Sequence, residues 1–153
     1  MITNLASLTL PNFSGRFLAT EYKERQMTRK VISTDKAPAA IGPYSQAIKI
    51  NGMVFTSGQV PIVPETGKIE ASDIEGQAEQ VMKNLEAVLK AAGSDFSRVV
   101  KATIFLKDLG NFAKVNEIYG ARFKSEPPAR SCFQVAKLPL DCLVEIEMIA
   151  LAD

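Results

Sequence analysis

Apolar residues at Ile74, Ala78, Val81, Met82, Leu85, Val88 and Leu89 recur every third or fourth position, the spacing of a helix with one face turned inward. Ser72-Asp73-Ile74-Glu75 has the capping-box pattern that opens such a helix, and Gly93 supplies its C-terminal stop. The period then changes to two. From Val99 to Leu106 a strand is expected, with Val100, Ala102, Ile104 and Leu106 on one face. A second helix is predicted from Asn111 to Phe123, with Phe112, Val115, Tyr119 and Phe123 inward, and Pro127-Pro128 prevents it from continuing. Two strands follow. In the first, Ser131, Phe133 and Val135 face one way and Arg130, Cys132 and Gln134 the other; in the second, Val144, Ile146 and Met148 alternate with Glu145 and Glu147. Upstream, Ala47 to Ile50 and Met53 to Thr56 flank Asn51-Gly52, a hairpin turn whose two residues tolerate positive φ. Pro61 to Ile69, with two prolines and Thr66-Gly67, reads as a loop.

The order hairpin, helix, strand, helix, strand, strand fits an α+β layer in which two helices cover one face of a mixed sheet. The other face is expected to carry Phe105 and Cys132 beside Thr103, Arg130, Gln134 and Glu145. A half-polar surface of that kind suits burial against other subunits better than open water.

Composition narrows the chemistry. The chain has 153 residues, 46% hydrophobic and 23% charged, as for one ordinary domain. Residues 1–28 differ from the rest: Met1 to Thr20 contains no acidic residue and one arginine, Arg16, and Met27 offers a second start. This stretch reads as a weak transit segment, a disordered tail or an expression leader, leaving residues 29–153 as the domain. A cytoplasmic location is expected, or a mitochondrial or plastid one if the segment is a transit signal. No apolar run approaches the roughly 20 residues of a membrane span, so no membrane partner is expected. The net charge of +1, without a local Lys/Arg cluster, gives nucleic acid no electrostatic foothold.

Histidine is absent, which removes histidine-based triads, histidine-based ribonuclease chemistry and the usual zinc hydrolase sites. Cys132 and Cys142 are too few for a metal cluster and fit no Cys-x-x-Cys spacing, so free thiols and no metal are expected. What remains is Pro128-Ala129-Arg130-Ser131-Cys132, followed by Glu145-Ile146-Glu147. A guanidinium on a strand can hold a small carboxylate through two parallel hydrogen bonds, and a carboxylate can aim a water or move a proton. Each candidate has a plainer reading: Arg130, Glu145 and Glu147 as surface charges, Cys132 and Cys142 as packing thiols, Tyr44 as a turn aromatic, Asn116 as a helix-surface amide and Gly58 as a bulge.

Taken together, Gly42-Pro43-Tyr44-Ser45-Gln46-Ala47, Phe55-Thr56-Ser57-Gly58-Gln59, Val115-Asn116-Glu117-Ile118-Tyr119, Pro128-Ala129-Arg130-Ser131-Cys132 and Glu145-Ile146-Glu147 resemble, in that order, the RidA/YjgF family. These are the reactive intermediate deaminases, or 2-iminobutanoate/2-iminopropanoate deaminases. The likeness spans nearly all of residues 31–151. It implies a chorismate-mutase-like α+β fold assembled as a homotrimer, with the sheets forming a central barrel and sites in the clefts between subunits. It also implies hydrolysis of enamine or imine acids to 2-oxo acids and ammonia, with no cofactor. Arg130 matches the arginine that binds the substrate carboxylate and Glu145 the carboxylate that activates water. Tyr44, Gly58, Asn116 and Cys132 match residues lining the pocket. Two other functions stand beside this one: a small-carboxylate binding module without turnover, and an endoribonuclease or translation inhibitor, for which the absence of histidine and of a basic surface gives poor support.

Overall fold

The computed structural model describes residues 28–153. The N-terminal segment discussed above lies outside the described residues except for Thr28. Eight strands and two helices follow in the order β1 (Lys30–Ile32), β2 (Ala47–Ile50), β3 (Met53–Thr56), β4 (Ile62–Val63), β5 (Lys68–Ile69), α1 (Ile74–Ala91), β6 (Val99–Leu106), α2 (Phe112–Gly120), β7 (Ala129–Gln134) and β8 (Val144–Leu151). Six strands form one mixed sheet in the order β1-β2-β3-β8-β6-β7. Every neighbouring pair is antiparallel except β6 and β7, because the chain crosses over through α2 between them. The segment expected to be a loop between Pro61 and Ile69 contains a small hairpin, β4 against β5. Strand β1 was not expected: three residues are too few to display a period.

Local chemistry accounts for the ends of the elements. Asn51 and Gly52 adopt φ of 52° and 74°, the left-handed pair that a two-residue hairpin turn requires. The N-cap of α1 is Asp73, one residue later than the Ser72 expected, and its carboxylate accepts a hydrogen bond from the Gly76 amide at 2.8 Å. Gly93 follows the helix with φ of 78°. The second helix is shorter than expected, ending at Gly120. Phe123 lies beyond it and stacks edge-on against Phe96 at 5.8 Å.

The predicted stripe of α1 is buried without exception and packs against Val54, Ala102, Ile104, Leu106, Val144, Ile146 and Met148 of the sheet. Lys114 of α2 pairs with Glu75 of α1 at 2.6 Å, and Arg122, just past the end of α2, pairs with Glu79 of α1. Two expectations about β6 and β7 fail. Val99 pairs with Ala150 and Lys101 with Ile149, so Val100 is an extra residue in a bulge; it is exposed, and Val99 takes the inward position. The face assigned to Cys132 is also corrected. Ile104 pairs with both Cys132 and Ile146, and Ala102 with both Arg130 and Met148. Arg130, Cys132 and Gln134 therefore stand on the helix-covered side. The uncovered face carries Thr103, Phe105, Ser131, Phe133, Glu145 and Glu147, continuing through Ile149, Phe55, Ile48 and Val31 on the remaining strands. Its apolar content is high for a surface: Val31, Phe55, Phe133 and Leu151 are all exposed.

Candidate functional site

The acidic side of the site is built from the far end of β3 and the start of β8. The ladder between these strands runs to Phe55↔Ile149 and resumes at Gln59↔Ile146, so four steps on one strand meet three on the other. In the gap, the Thr56 hydroxyl accepts a hydrogen bond from the Met148 amide at 2.9 Å, replacing the lost backbone partner. Gly58 sits in this irregularity. A Cβ placed there would overlap Glu145 Oε1 and lie 2.7 Å from its Cδ. Only glycine lets the carboxylate lie against the backbone at this point.

Glu145 lines a cavity of about 350 Å³ together with Tyr44, Gln46, Ser57, Gly58 and Gln59, closed by apolar residues that include Ile41 and Leu140. Desolvation, with the neighbouring charge of Glu147 as the smaller cause, pushes its carboxyl above the ordinary 4.5. Half of Tyr44 is exposed, and its hydroxyl accepts a hydrogen bond from the Ile41 amide at 3.4 Å. Gln46 fixes the loop that carries it. Its side-chain amide is buried, accepts from the Thr34 amide at 2.6 Å and donates toward the carbonyls of Thr34, Ala37 and Pro38. Asn84, fully buried on α1, donates to the carbonyls of Val60 and Ile62 and holds the opposite wall.

The guanidinium side is built on α2. Arg130 Nη1 donates to Asn116 Oδ1 at 2.8 Å. The Arg130 Cζ lies 4.9 Å from the centre of the Tyr119 ring and 5.4 Å from that of Phe112. Cys132, two residues on along β7, shares a shallow recess with Leu109 and Phe112. Burial pushes its thiol upward, against a smaller opposing pull from Arg130, so the sulfur stays protonated at neutral pH. Burial likewise carries the Tyr119 phenol up to about 12, with Arg130 again the weaker opposing cause.

Within one chain, Tyr44, Gly58 and Glu145 come together, and so do Arg130, Asn116 and Cys132. The two groups do not meet: Glu145 pairs with Phe105 on the uncovered sheet face, whereas Arg130 pairs with Ala102 on the helical one. Gln46, Ser57 and Gln59 also wall the cavity, and nothing in the hydrophobic pattern marks them, because isolated polar side chains carry no periodic signature. Phe112 and Tyr119, expected as core residues, face Arg130 as well, and their spacing from Asn116, which puts all three on one helical face, is the signal for it. Among the described residues, His, Cys, Asp and Glu form no group of three or more able to hold a metal ion.

Comparison with known proteins gives consistent results. Residues 34–152 match the family model described as Endoribonuclease L-PSP. The chain is 50% identical over 148 residues to Reactive Intermediate Deaminase A, chloroplastic, of Arabidopsis thaliana, covering 95% of this chain and 79% of that one. It is 52% identical over 122 residues to the 2-iminobutanoate/2-iminopropanoate deaminase of Mus musculus, covering 80% and 90% respectively. Among solved structures, YyfA of the Rid protein family from Yersinia pestis superposes with a TM-score of 0.80 at 50% identity, covering 82% of this chain and 100% of that one.

Proposed function

This chain belongs to the Endoribonuclease L-PSP (RidA/YjgF) family, and on that premise we propose that it hydrolyses small enamine and imine acids to 2-oxo acids and ammonia. Arg130 clamps the substrate carboxylate through a planar pair of hydrogen bonds. Glu145 takes a proton from water as the oxygen adds to the imine carbon and passes it to the imine nitrogen. The resulting carbinolamine then loses ammonia as its C–N bond breaks, and the carbonyl forms. A carboxyl raised by burial is suited to accepting and returning that proton near neutral pH. Tyr44 and the backbone at Gly58 close the acidic side, Asn116 fixes the guanidinium, and Cys132 contributes wall and backbone rather than a nucleophile. No step calls for a cofactor.

The observation that carries this reading is the division of the polar groups between opposite faces of one sheet. Neither group is a complete site, and the uncovered face is apolar enough to be buried by further copies. Three copies closing their sheets into a central barrel bring the guanidinium cluster of one protomer to the acidic cavity of its neighbour. Complementation tests the arrangement. The Arg130→Met and Glu145→Gln variants, each inactive alone, are co-assembled and assayed with threonine dehydratase generating the imine. About a quarter of the sites regain both intact halves by random mixing in a ring, so activity returns to about that fraction. No recovery overturns the shared site, and an inactive natural protein that still binds 2-oxobutanoate replaces the enzyme with a binding module.

A further inference from the structure

The residues of α2 that touch Arg130 fall at positions 112, 116 and 119, a single face over two turns of helix. Phe112 and Tyr119 are about 10 Å apart along the axis at 1.5 Å per residue. The Arg130 Cζ lies over both rings, and Asn116 occupies the turn of helix between the two aromatic positions. Each ring presents negative π density to the cation. Guanidinium is the one cationic side chain flat and weakly hydrated enough to be held by its faces. Tyr119 is buried and its hydroxyl has no hydrogen-bond partner among the described residues, so its ring rather than its phenol is in use here.

Resting on the reading of Arg130 as the carboxylate clamp, we infer that Phe112 and Tyr119 are positioning residues that sandwich the guanidinium and fix its plane before substrate arrives. With Cζ over both rings and Nη1 engaged by Asn116, the Nη2–Nε edge is the one left to a planar anion. An arginine on a bare edge strand loses several rotatable bonds when it binds; here that ordering is done in advance by α2. The same geometry explains why a rim position holds a large aromatic: Phe112 is partly exposed and contributes little to the core, yet it covers one side of the cation.

The experiment measures 2-oxobutanoate affinity by calorimetry, together with KM and kcat, on the full-length assembled protein. Phe112→Leu and Tyr119→Leu each weaken binding and raise KM about tenfold, with kcat changed less than threefold. Tyr119→Phe, which keeps the ring and removes only the unpartnered hydroxyl, holds affinity to within about twofold of the natural protein. Thermal midpoints separate a loosened fold from a loosened clamp, and Phe112→Leu, at the exposed rim, decides the matter if Tyr119→Leu melts early. If Arg130→Lys loses binding while both leucine variants keep it within twofold, the sandwich is refuted and the clamp stands. If Arg130→Lys itself binds as tightly as the natural protein, the clamp reading has failed and the sandwich with it.

Discussion

The two halves of the proposed site are made in opposite ways. The guanidinium half is local: three residues of one short helix hold one arginine on the strand that follows it, so its geometry is set as soon as α2 docks beside β7. The acidic half is assembled from afar. Glu145 on β8 lies against Gly58 beyond β3, under a loop pinned by Gln46 and a wall pinned by Asn84 from α1. A group that must stay planar and charged benefits from stacking and a fixed hydrogen bond. A group that must change protonation benefits instead from a partly dry cavity. On the proposed reading, the clamp is ordered by residues close in sequence, whereas the proton-handling carboxylate depends on long-range packing, and perturbations should affect them differently.

The strongest break in that comparison is Glu145→Gln, expected to lower kcat about 10³-fold while 2-oxobutanoate still binds; lost binding in calorimetry would make Glu145 a structural residue. Because the folded-state carboxyl lies above its ordinary 4.5, the folded protein holds that proton more tightly than the unfolded chain. Stability contributed by the protonated form is present below that value and is lost as pH rises through the folded pKa. Glu145→Gln should therefore raise the melting temperature at pH 7 and leave it unchanged near pH 3.

Next in size is Gly58→Ala, which displaces the carboxylate and should cost about 10²-fold in kcat with a native circular dichroism spectrum. Arg130→Lys follows, at about 30-fold in kcat/KM, carried mainly by KM, since a point charge replaces a planar fork. Smallest is Cys132→Ala. A thiol kept protonated by burial has no nucleophilic duty, and steady-state rates should fall less than about threefold; a hundredfold loss would reinstate the sulfur.

How much of this the sequence disclosed follows the same division. The stripe of α1, the Asn51-Gly52 turn and the alternation of β8 are written in one stretch of chain each, and they were legible. The side of the sheet occupied by Cys132 was not. Ala-Arg-Ser-Cys-Phe-Gln mixes small, polar and aromatic residues in both phases, and only the pairing of Cys132 with Ile104 decides which phase points inward. For the same reason Arg130 and Glu145 looked like neighbours on one surface, although the strand register puts them on opposite ones. The aromatic pair around Arg130 was readable as a helical face but not as a cradle, since nothing in α2 announces that an arginine ten residues further on will reach back to it.

One bulge has a consequence for how this gene can vary. Val100 is surplus to the ladder between Val99↔Ala150 and Lys101↔Ile149, so excising its codon would leave a regular one-to-one pairing. Both flanking side chains would keep their present directions. Single-residue deletions inside a central strand ordinarily invert everything downstream; here the frame already holds a spare residue, and losing it should be absorbed.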